Sequence, residues 1–221
     1  MPSAPPPRAS VRSLGVFAKA PVPGRVKTRL AADVGPSAAA ELYWQMGRRV
    51  VAATVGPGHR TTVWFTPPTE QAFVRQWLDG MGRLDLRAQV GASLGARLAH
   101  AFGRHFAEGA RRVVIIGTDC PGVDRRVVRA GFTALATHDV VLGPALDGGY
   151  YLVGLRAPHP SLFQGIAWSS AAVAVQTRTR ARALGLSCQL LRPLRDVDTA
   201  RDARTLGLLG PPSANPTIDP T

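Results

Sequence analysis

The sequence predicts an α/β fold, a three-layer α/β/α sandwich built on a mainly parallel sheet. Short runs with the composition of β-strands alternate along the chain with longer segments whose apolar residues recur at helical spacing. The run RVVIIGT at 112–118 is the most convincing buried strand. With 221 residues, 45% of them hydrophobic and 19% charged, the chain is long enough for one sizeable domain with a substantial core.

Each element is predicted from its apolar pattern and from the residues that bound it. SLGVFA at 13–18 is the first strand, and the helix at 37–55 has Ser37 available as its N-cap. TTVWFT at 61–66 is the second strand, which ends at Pro67 and Pro68. The order continues with a helix at 69–78, a strand at 84–90, a helix at 94–110, a strand at 112–118, a helix at 123–137, strands at 139–145 and 150–155, a helix near 169–184, a strand at 187–191 and a last helix from about 199.

The two ends of the chain lack these patterns. Residues 1–12 are rich in proline and have no apolar core of a secretory signal, and residues 210–221 are similarly rich in proline and small polar residues. We expect both to be disordered tails around a single domain at 13–209. No apolar run reaches the roughly 20 residues that cross a bilayer. Two cysteines, Cys120 and Cys188, make no disulfide framework, so we expect a soluble cytoplasmic protein.

The formal net charge of +13 raises the question of nucleic-acid binding. The basic residues are scattered, however, and no zinc-finger spacing, basic leucine-zipper pattern or ribonucleoprotein motif accompanies them. Of the 27 basic residues 25 are arginine, which also fits a compositional bias of the source genome. The charge therefore argues for attraction of small anionic substrates rather than for nucleic acid as a partner.

Ligands of parallel α/β sheets bind outside the carboxyl ends of the strands, so the segments that follow strands matter most. AKAPVPGRVKTR follows the first strand, TDCPGVD the fourth and GPALDGG the fifth. The first segment is cationic, and the other two carry carboxylates. This arrangement predicts a phosphate ester held together with a divalent metal.

The cationic segment contains both lysines of the chain, Lys19 and Lys27. Pro21, Pro23 and Gly24 make it stiff and allow the backbone to approach a ligand closely. It lacks the spacing of a Walker loop. A solvated basic turn is the alternative to phosphate binding, which we favour. The predicted phosphate-binding residues are Lys19, Arg25, Lys27 and Arg29.

Asp119 lies just beyond the apolar fourth strand, where an isolated carboxylate is costly unless it is paired, hydrogen-bonded or bound to metal. We predict a metal ligand, although a turn aspartate that caps the next helix would look the same. Asp147 lies in an Asp-Gly turn that predicts a hairpin, and this turn would also place it near the site. Asp196 and Asp198 precede the last helix, which Asp198 or Thr199 could cap.

Four motifs in this order resemble one bacterial family: FAKAPVPGRVKTRLA, IGTDCPG, VLGPALDGGYYLVGL and LRDVDTARDARTL. The family is the radical-SAM-associated "transferase 1" group, which is glycosyltransferase-A-like, and the resemblance covers about residues 13–209. It implies the fold of the nucleotide-diphospho-sugar transferase superfamily. That superfamily also holds nucleotidyltransferases that make CMP-activated sugars, molybdopterin dinucleotides and guanylylated phospholactate.

The resemblance also implies roles for residues. It gives nucleotide phosphates to Lys19, Arg25, Lys27 and Arg29, and a divalent metal, Mg²⁺ or Mn²⁺, to Asp119 and Asp198. Gly95 and Arg97 are assigned to the nucleotide as well. The acceptor side is assigned to Asp147, Gly148, Gly149, Tyr150 and Trp168, with Asp147 and Asp119 as the catalytic candidates.

The chain departs from the family at two places. Relatives usually read G-D-L-G-E-R before the third helix, where this chain has Ser93 and Ala96 in place of the acidic residues. After Trp168 the chain reads SSAA, where a threonine followed by an acidic residue is common.

We expect a metal-dependent glycosyltransferase that uses a nucleoside diphosphate-sugar and a small-molecule acceptor. The alternative is a nucleotidyltransferase that moves NMP from an NTP to a phosphate or phosphonate. A non-catalytic nucleotide-binding relative is a third hypothesis. A serine hydrolase is a fourth, because Gly91, Ser93 and Gly95 match G-x-S-x-G and are followed by Asp147 and His159.

Overall fold

The computed structural model describes residues 12–210, which form one seven-stranded sheet. Its strands are β1 (Arg12–Lys19), β2 (Arg60–Thr66), β3 (Asp85–Ala88), β4 (Arg112–Gly117), β5 (Val140–Pro144), β6 (Tyr150–Leu155) and β7 (Cys188–Leu190). They lie side by side in the order β3-β2-β1-β4-β6-β5-β7. Among them β6 alone runs antiparallel to its neighbours, β4 and β5. The predicted mainly parallel sheet is confirmed.

Helices cover both faces of this sheet. They are α1 (Thr28–Val34), α2 (Pro36–Thr54), α3 (Gln71–Trp77), α4 (Leu94–Ala107), α5 (Arg125–Ala134), α6 (Val173–Ala183) and α7 (Ala200–Thr205), with 3₁₀ turns at Pro68–Glu70 and Pro160–Phe163. Side chains of β4 alternate between the faces, as the period of a strand requires. Val114 and Ile116 pack with α1, α2, α3, α5 and α7, whereas Val113 and Ile115 pack with α4 and α6. The three-layer α/β/α fold is confirmed.

Several element boundaries differ from the sequence prediction, and the reason is clear for the starts of α2 and α5. Ser37 was expected to cap α2, but Gly35 is the N-cap residue and Pro36 occupies the first turn, where its missing N–H costs nothing. Asp124 accepts a hydrogen bond from the Val127 N–H and so begins α5 two residues later than expected.

Helix α1 was not predicted at all, because the segment was taken as part of the phosphate-binding loop. It is only seven residues long and buries one side chain, Leu30, so its apolar pattern is too short to detect. Gly35, with φ of 85°, separates it from α2.

The predicted tails at 1–12 and 210–221 lie outside the described residues except for Arg12 and Gly210. Arg12 begins strand β1, where it pairs with Arg112, so the first boundary was set one residue too late. Within 12–210, no helix has both the length and the apolar character needed to cross a membrane.

Candidate active site

Strands β1 and β4 are parallel neighbours at the centre of the sheet, and β5 runs in the same direction two places away. Their carboxyl ends therefore meet at one edge. The segments that follow them are those in which the sequence predicted ligand-binding residues.

The first segment turns sharply before α1. Hydrogen bonds from the Val22 N–H to the Ala20 carbonyl and from the Arg25 N–H to the Val22 carbonyl close the turns. Lys27 then adopts a left-handed conformation, with φ of 49° and ψ of 46°, immediately before α1 begins. Few non-glycine residues adopt this conformation, which costs of order 1–3 kcal/mol and recurs at functional sites. The strained turn directs the Lys27 side chain back toward the end of β4.

Lys27 lies between two carboxylates from distant parts of the chain. Its Nζ is 2.7 Å from Oδ1 of Asp119 and 3.2 Å from Oδ1 of Asp198. The lysine side chain is 4% exposed, while those of the two aspartates are 52% and 40% exposed. Burial by itself would lower the pKa of Lys27, but the two carboxylates outweigh it and raise that pKa above its usual value. The ammonium is therefore charged at neutral pH.

Asp119 owes its position to the end of β4. Its own carbonyl accepts a hydrogen bond from the Val197 N–H at 3.0 Å, which fixes the segment before α7 against that strand end. Val197 is fully buried, so this attachment is packed as well as hydrogen-bonded.

Asp198 is free to face Lys27 because other residues cap α7. Thr199 accepts from the Asp202 N–H, and the Asp202 carboxylate accepts from the Thr199 N–H in return. Asp198 was one of two candidates for this cap, and the structure gives the role to Thr199. Oδ2 of Asp198 contacts the Arg29 guanidinium at 3.5 Å.

Two further aspartates add negative charge at this edge. The pKa of Asp196 is raised to about 6, mainly by partial burial and further by repulsion from the carboxylates of Asp147 and Asp198. Asp147 lies in the turn between β5 and β6, where its Oδ1 accepts the Gly149 N–H at 2.8 Å. The predicted hairpin is thus present, and it brings Asp147 to the same edge as Asp196.

Tyr43 of α2 is a site residue that the sequence did not reveal. Its buried hydroxyl accepts the Lys19 N–H at 3.0 Å and hydrogen-bonds to Oγ1 of Thr118 at 2.8 Å, so it joins the ends of β1 and β4. Burial raises its pKa, and the ring lies 5.9 Å from Nζ of Lys27, within cation–π range. In the sequence Tyr43 is one of many apolar residues on a helix, and no local signal distinguishes it.

The other predicted phosphate-binding residues are exposed around Lys27. Arg25 has a side chain that is 65% exposed and lies 3.9 Å from Glu70, and that of Arg29 is 75% exposed. Lys19 is exposed at the end of β1. Their side chains have the freedom to meet a ligand, whereas that of Lys27 contacts Asp119 and Asp198.

The predicted residues around α4 lie together, and within residues 12–210 no hydrogen bond, ion pair or ring contact joins them to Lys27, Asp119 or Asp198. Trp168 packs edge-on against Tyr150, with ring centroids 6.4 Å apart, and its ring lies against Gly95. A Cβ at Gly95 would come within 2.6 Å of the Phe163 carbonyl oxygen, so only glycine fits there. Nε of Arg97 donates to the Gly91 carbonyl at 3.0 Å.

Ser93 has a structural role. Its Oγ accepts the Ala96 N–H at 3.2 Å and caps α4. Within residues 12–210 no hydrogen bond joins Ser93 to Asp147 or His159. Cys120 is buried, and burial raises the pKa of its thiol, as befits a packed residue.

The oxygens of Asp119 and Asp198 suit Mg²⁺ or Mn²⁺, which prefer carboxylate ligands. Both contact one cation, the Lys27 ammonium, so the two carboxylates face the same position in the fold. In the part of the chain that the structure describes, no three His, Cys, Asp or Glu side chains converge to hold a metal. The donor set therefore fits a metal that takes its remaining ligands from water and a substrate.

Known proteins resemble this chain at several levels. Residues 50–170 match the family described as "Uncharacterized protein conserved in bacteria (DUF2064)", a segment that includes Asp119 and Asp147 but neither Lys27 nor Asp198. The 3-phospho-D-glycerate guanylyltransferase of Phenylobacterium zucineum (strain HLK1) is 32% identical over 188 residues, which are 80% of this chain and 82% of that protein.

Solved structures share the fold. The crystal structure of a candidate nucleotide-diphospho-sugar transferase from Desulfovibrio desulfuricans G20 has a TM-score of 0.84 and 33% identity, and covers 89% of this chain and 86% of that one. CMP:2-keto-3-deoxy-manno-octonic acid synthetase, solved with CTP, has a TM-score of 0.53 and 12% identity, and covers 88% of this chain and 96% of that one. The latter likeness shows the fold alone. The glycosyltransferase-A-like fold is confirmed, whereas membership of the radical-SAM-associated group stays a prediction.

Proposed function

The chain belongs to the bacterial DUF2064 family and is a transferase, and we propose that it transfers a nucleotidyl group from a nucleoside triphosphate to the phosphate of a small-molecule acceptor. This was the alternative hypothesis from the sequence. The observation that carries it is the 32% identity, over most of both chains, with a guanylyltransferase that acts on 3-phospho-D-glycerate. GTP and 3-phospho-D-glycerate are accordingly the first substrates to test.

In the proposed reaction an acceptor phosphate oxygen attacks the α-phosphorus of the nucleotide. A new phosphorus–oxygen bond forms, the bond to the β-phosphate breaks, and pyrophosphate leaves with the electron pair. The attacking oxygen is already ionised at neutral pH, so the step needs no general base. We therefore assign Asp147 to positioning the acceptor, together with Gly148, Gly149, Tyr150 and Trp168.

The cations at the carboxyl edge stabilise the phosphates. Lys19, Arg25 and Arg29 are exposed and can reach an incoming triphosphate, and Lys27 adds a charge at the ends of β1 and β4. Gly95 and Arg97, at the start of α4, are assigned to the nucleotide. Fixed positive charge at a site where negative charge develops lowers the barrier without reorganisation.

Asp119 and Asp198 would hold a divalent metal in this proposal. Such an ion neutralises charge on the transferred and leaving phosphates. The support is the approach of both carboxylates to one cation from opposite parts of the sequence.

Sugar transfer is the second candidate. It was the main expectation from the sequence, and the 33% identity with the candidate nucleotide-diphospho-sugar transferase favours it. The fold and the phosphate-binding residues would be the same, while the leaving group would be a nucleoside diphosphate.

The identity of the released product separates the two candidates. The full chain is incubated with Mg²⁺, GTP and 3-phospho-D-glycerate, and in parallel with a panel of nucleotide-sugars and acceptors. We expect pyrophosphate in amounts equal to a new diphosphate product visible by ³¹P NMR. Release of a nucleoside diphosphate from a nucleotide-sugar, without pyrophosphate from any triphosphate, would support sugar transfer instead.

A further inference from the structure

Lys27 occupies the place between Asp119 and Asp198 where a shared metal ion would have to bind. Its Nζ contacts Oδ1 of both residues, and Arg29 contacts the other oxygen of Asp198. Three of the four oxygens of this pair thus contact a cationic side chain. The proposed metal site and the Lys27 ammonium compete for the same ligands.

The two cations disfavour each other at this site. A divalent ion such as Mg²⁺ binds oxygen at about 2.0–2.1 Å, and Nζ of Lys27 lies 2.7 Å from Oδ1 of Asp119. An ion bound to these carboxylates would lie close to the ammonium, and like charges at such a distance repel in a partly desolvated site. Metal binding is therefore weakened while Lys27 stays between the two aspartates.

Within residues 12–210, Lys27 has no second set of carboxylates with which it could pair instead. Its side chain is 4% exposed, and the two aspartates are the only carboxylates that contact its Nζ among residues 12–210. A buried ammonium without a counter-ion is strongly disfavoured. The phosphates of a nucleotide at the carboxyl edge would provide the new partner.

The two aspartates are also an incomplete metal site. No third His, Cys, Asp or Glu side chain joins them within the described part of the chain, so phosphate oxygens are needed to complete the coordination. Arrival of the nucleotide would thus both withdraw Lys27 and add ligands.

We propose that Lys27 is a counter-ion that excludes divalent metal from Asp119 and Asp198 until nucleotide phosphates withdraw its side chain. The proposal rests on the nucleotide-binding role given to this edge, and it makes metal and nucleotide binding interdependent. Binding free energies are coupled reciprocally, so each ligand then raises the affinity for the other.

Binding of Mn²⁺ to the full chain without nucleotide tests the exclusion directly, because electron paramagnetic resonance counts the free ion. We expect weak binding to the wild type and tightening by about tenfold or more in Lys27→Met, within the usual range of coupling between sites. Lys27→Arg keeps the positive charge and should bind Mn²⁺ as weakly as the wild type. Lys19→Met removes the other lysine from the same segment and should leave Mn²⁺ affinity unchanged. Circular dichroism checks that each variant is folded.

Unchanged Mn²⁺ affinity in a folded Lys27→Met variant, whether weak or tight, would overturn the proposal. Equal tightening by Lys19→Met would do so as well, since it would show a general charge effect. Neither result bears on pyrophosphate release, so nucleotidyl transfer could survive the failure of this inference.

A second measurement uses the wild type alone. The chain has two lysines, so labelling lysine with ¹³C at Cε gives two side-chain environments, which Lys19→Met assigns. Mg²⁺ alone should leave the Lys27 resonance in place, and Mg²⁺ with GTP should shift it. A shift of the Lys27 resonance by Mg²⁺ alone would overturn the proposal.

Discussion

For Lys27, the sequence predicts a role in phosphate binding, and the structure shows which residues its side chain contacts. The restriction of lysine to one segment predicted a phosphate-binding cation there. The left-handed backbone of Lys27 and its contacts with Asp119 and Asp198 were beyond reach, because they depend on how residues more than 90 positions apart come together. Tyr43 was missed for the same reason: its importance lies in hydrogen bonds to two strand ends.

Asp119 is the residue on which turnover should depend most. Asp119→Asn keeps the shape of the side chain but removes the charge that holds Lys27 and, in our proposal, the metal. Loss of one such electrostatic contribution costs about 10²–10³ in kcat. Pyrophosphate release under saturating Mg²⁺ measures it. Asp33→Asn, an exposed aspartate of α1, is the control and should keep wild-type activity. Full activity in Asp119→Asn would contradict the role given to this residue.

His105 should make the protein less stable in acid. It is buried on α4, where its Nε2 accepts the Trp64 N–H at 3.0 Å and its Nδ1 is 2.8 Å from the Ser13 hydroxyl. Burial lowers its pKa to about 4, and the positive charges of Arg60 and Arg87 act in the same direction. The negative charge of Glu108 opposes this shift. A histidine whose pKa is lowered on folding stabilises the protein above its unfolded pKa of about 6.5, and the contribution is lost as the pH falls toward 4.

We expect this loss to be on the order of 3 kcal/mol between pH 7 and pH 4 in urea denaturation. His105→Gln should be less stable than the wild type at pH 7 but should lose less stability over that interval. His100→Gln, on the exposed side of the same helix, is the control and should keep the wild-type pH dependence. A pH dependence in His105→Gln as steep as in the wild type would show that other groups cause it.

At the scale of elements, short helices carry much of the site and are the least predictable part of the fold. Helix α1 was missed because seven residues with one buried side chain leave little pattern. Helix α7 was predicted with Asp198 or Thr199 as its cap, and the structure adds the reciprocal cap between Thr199 and Asp202. The long central strands, by contrast, were predicted to within a residue or two, since their apolar runs leave little choice.

Thr199 should influence the site through the start of α7. Thr199→Ala removes the hydroxyl that accepts the Asp202 N–H, at a cost of about 1 kcal/mol in the free energy of unfolding. Because Asp198 is the adjacent residue, we also expect Mn²⁺ and nucleotide binding to weaken. Urea denaturation measures the first effect. Thr205→Ala, at the other end of α7, removes an exposed hydroxyl and should change stability by less than about 0.5 kcal/mol. Equal costs for the two variants would argue against the cap.

Gly148 should be irreplaceable in the turn between β5 and β6. Its φ is 92°, and an added Cβ would lie 2.0 Å from the Ala171 carbonyl oxygen. Gly185 has a φ of 70° with nothing within 4 Å of an added Cβ, so Gly185→Ala measures the backbone strain alone. We expect Gly148→Ala to lose about 1–3 kcal/mol more stability than Gly185→Ala, because the carbonyl must move. Equal losses would show that the turn and the segment before α6 can separate freely.

For the molecule as a whole, the alternation of strands and helices was enough to predict the fold class. The segments after the strands predicted a site at the carboxyl edge, and the structure brings Lys27, Asp119 and Asp198 together there. The exact sheet order needed the structure, since β6 pairs between β4 and β5 and the sequence only indicated a hairpin. The sequence could not distinguish the two candidate reactions, because nucleotidyl transfer and sugar transfer would use the same cations and carboxylates. The similarity to a guanylyltransferase favours nucleotidyl transfer.

The most direct test of the account is a crystal structure with Mn²⁺ and a GTP analogue whose bridge between the α- and β-phosphates resists cleavage. We expect anomalous density from Mn²⁺ in contact with Asp119 and Asp198, and Nζ of Lys27 on a phosphate oxygen rather than between the two carboxylates. A nucleotide bound away from this edge, or Mn²⁺ on other residues while Lys27 keeps both aspartates, would contradict it.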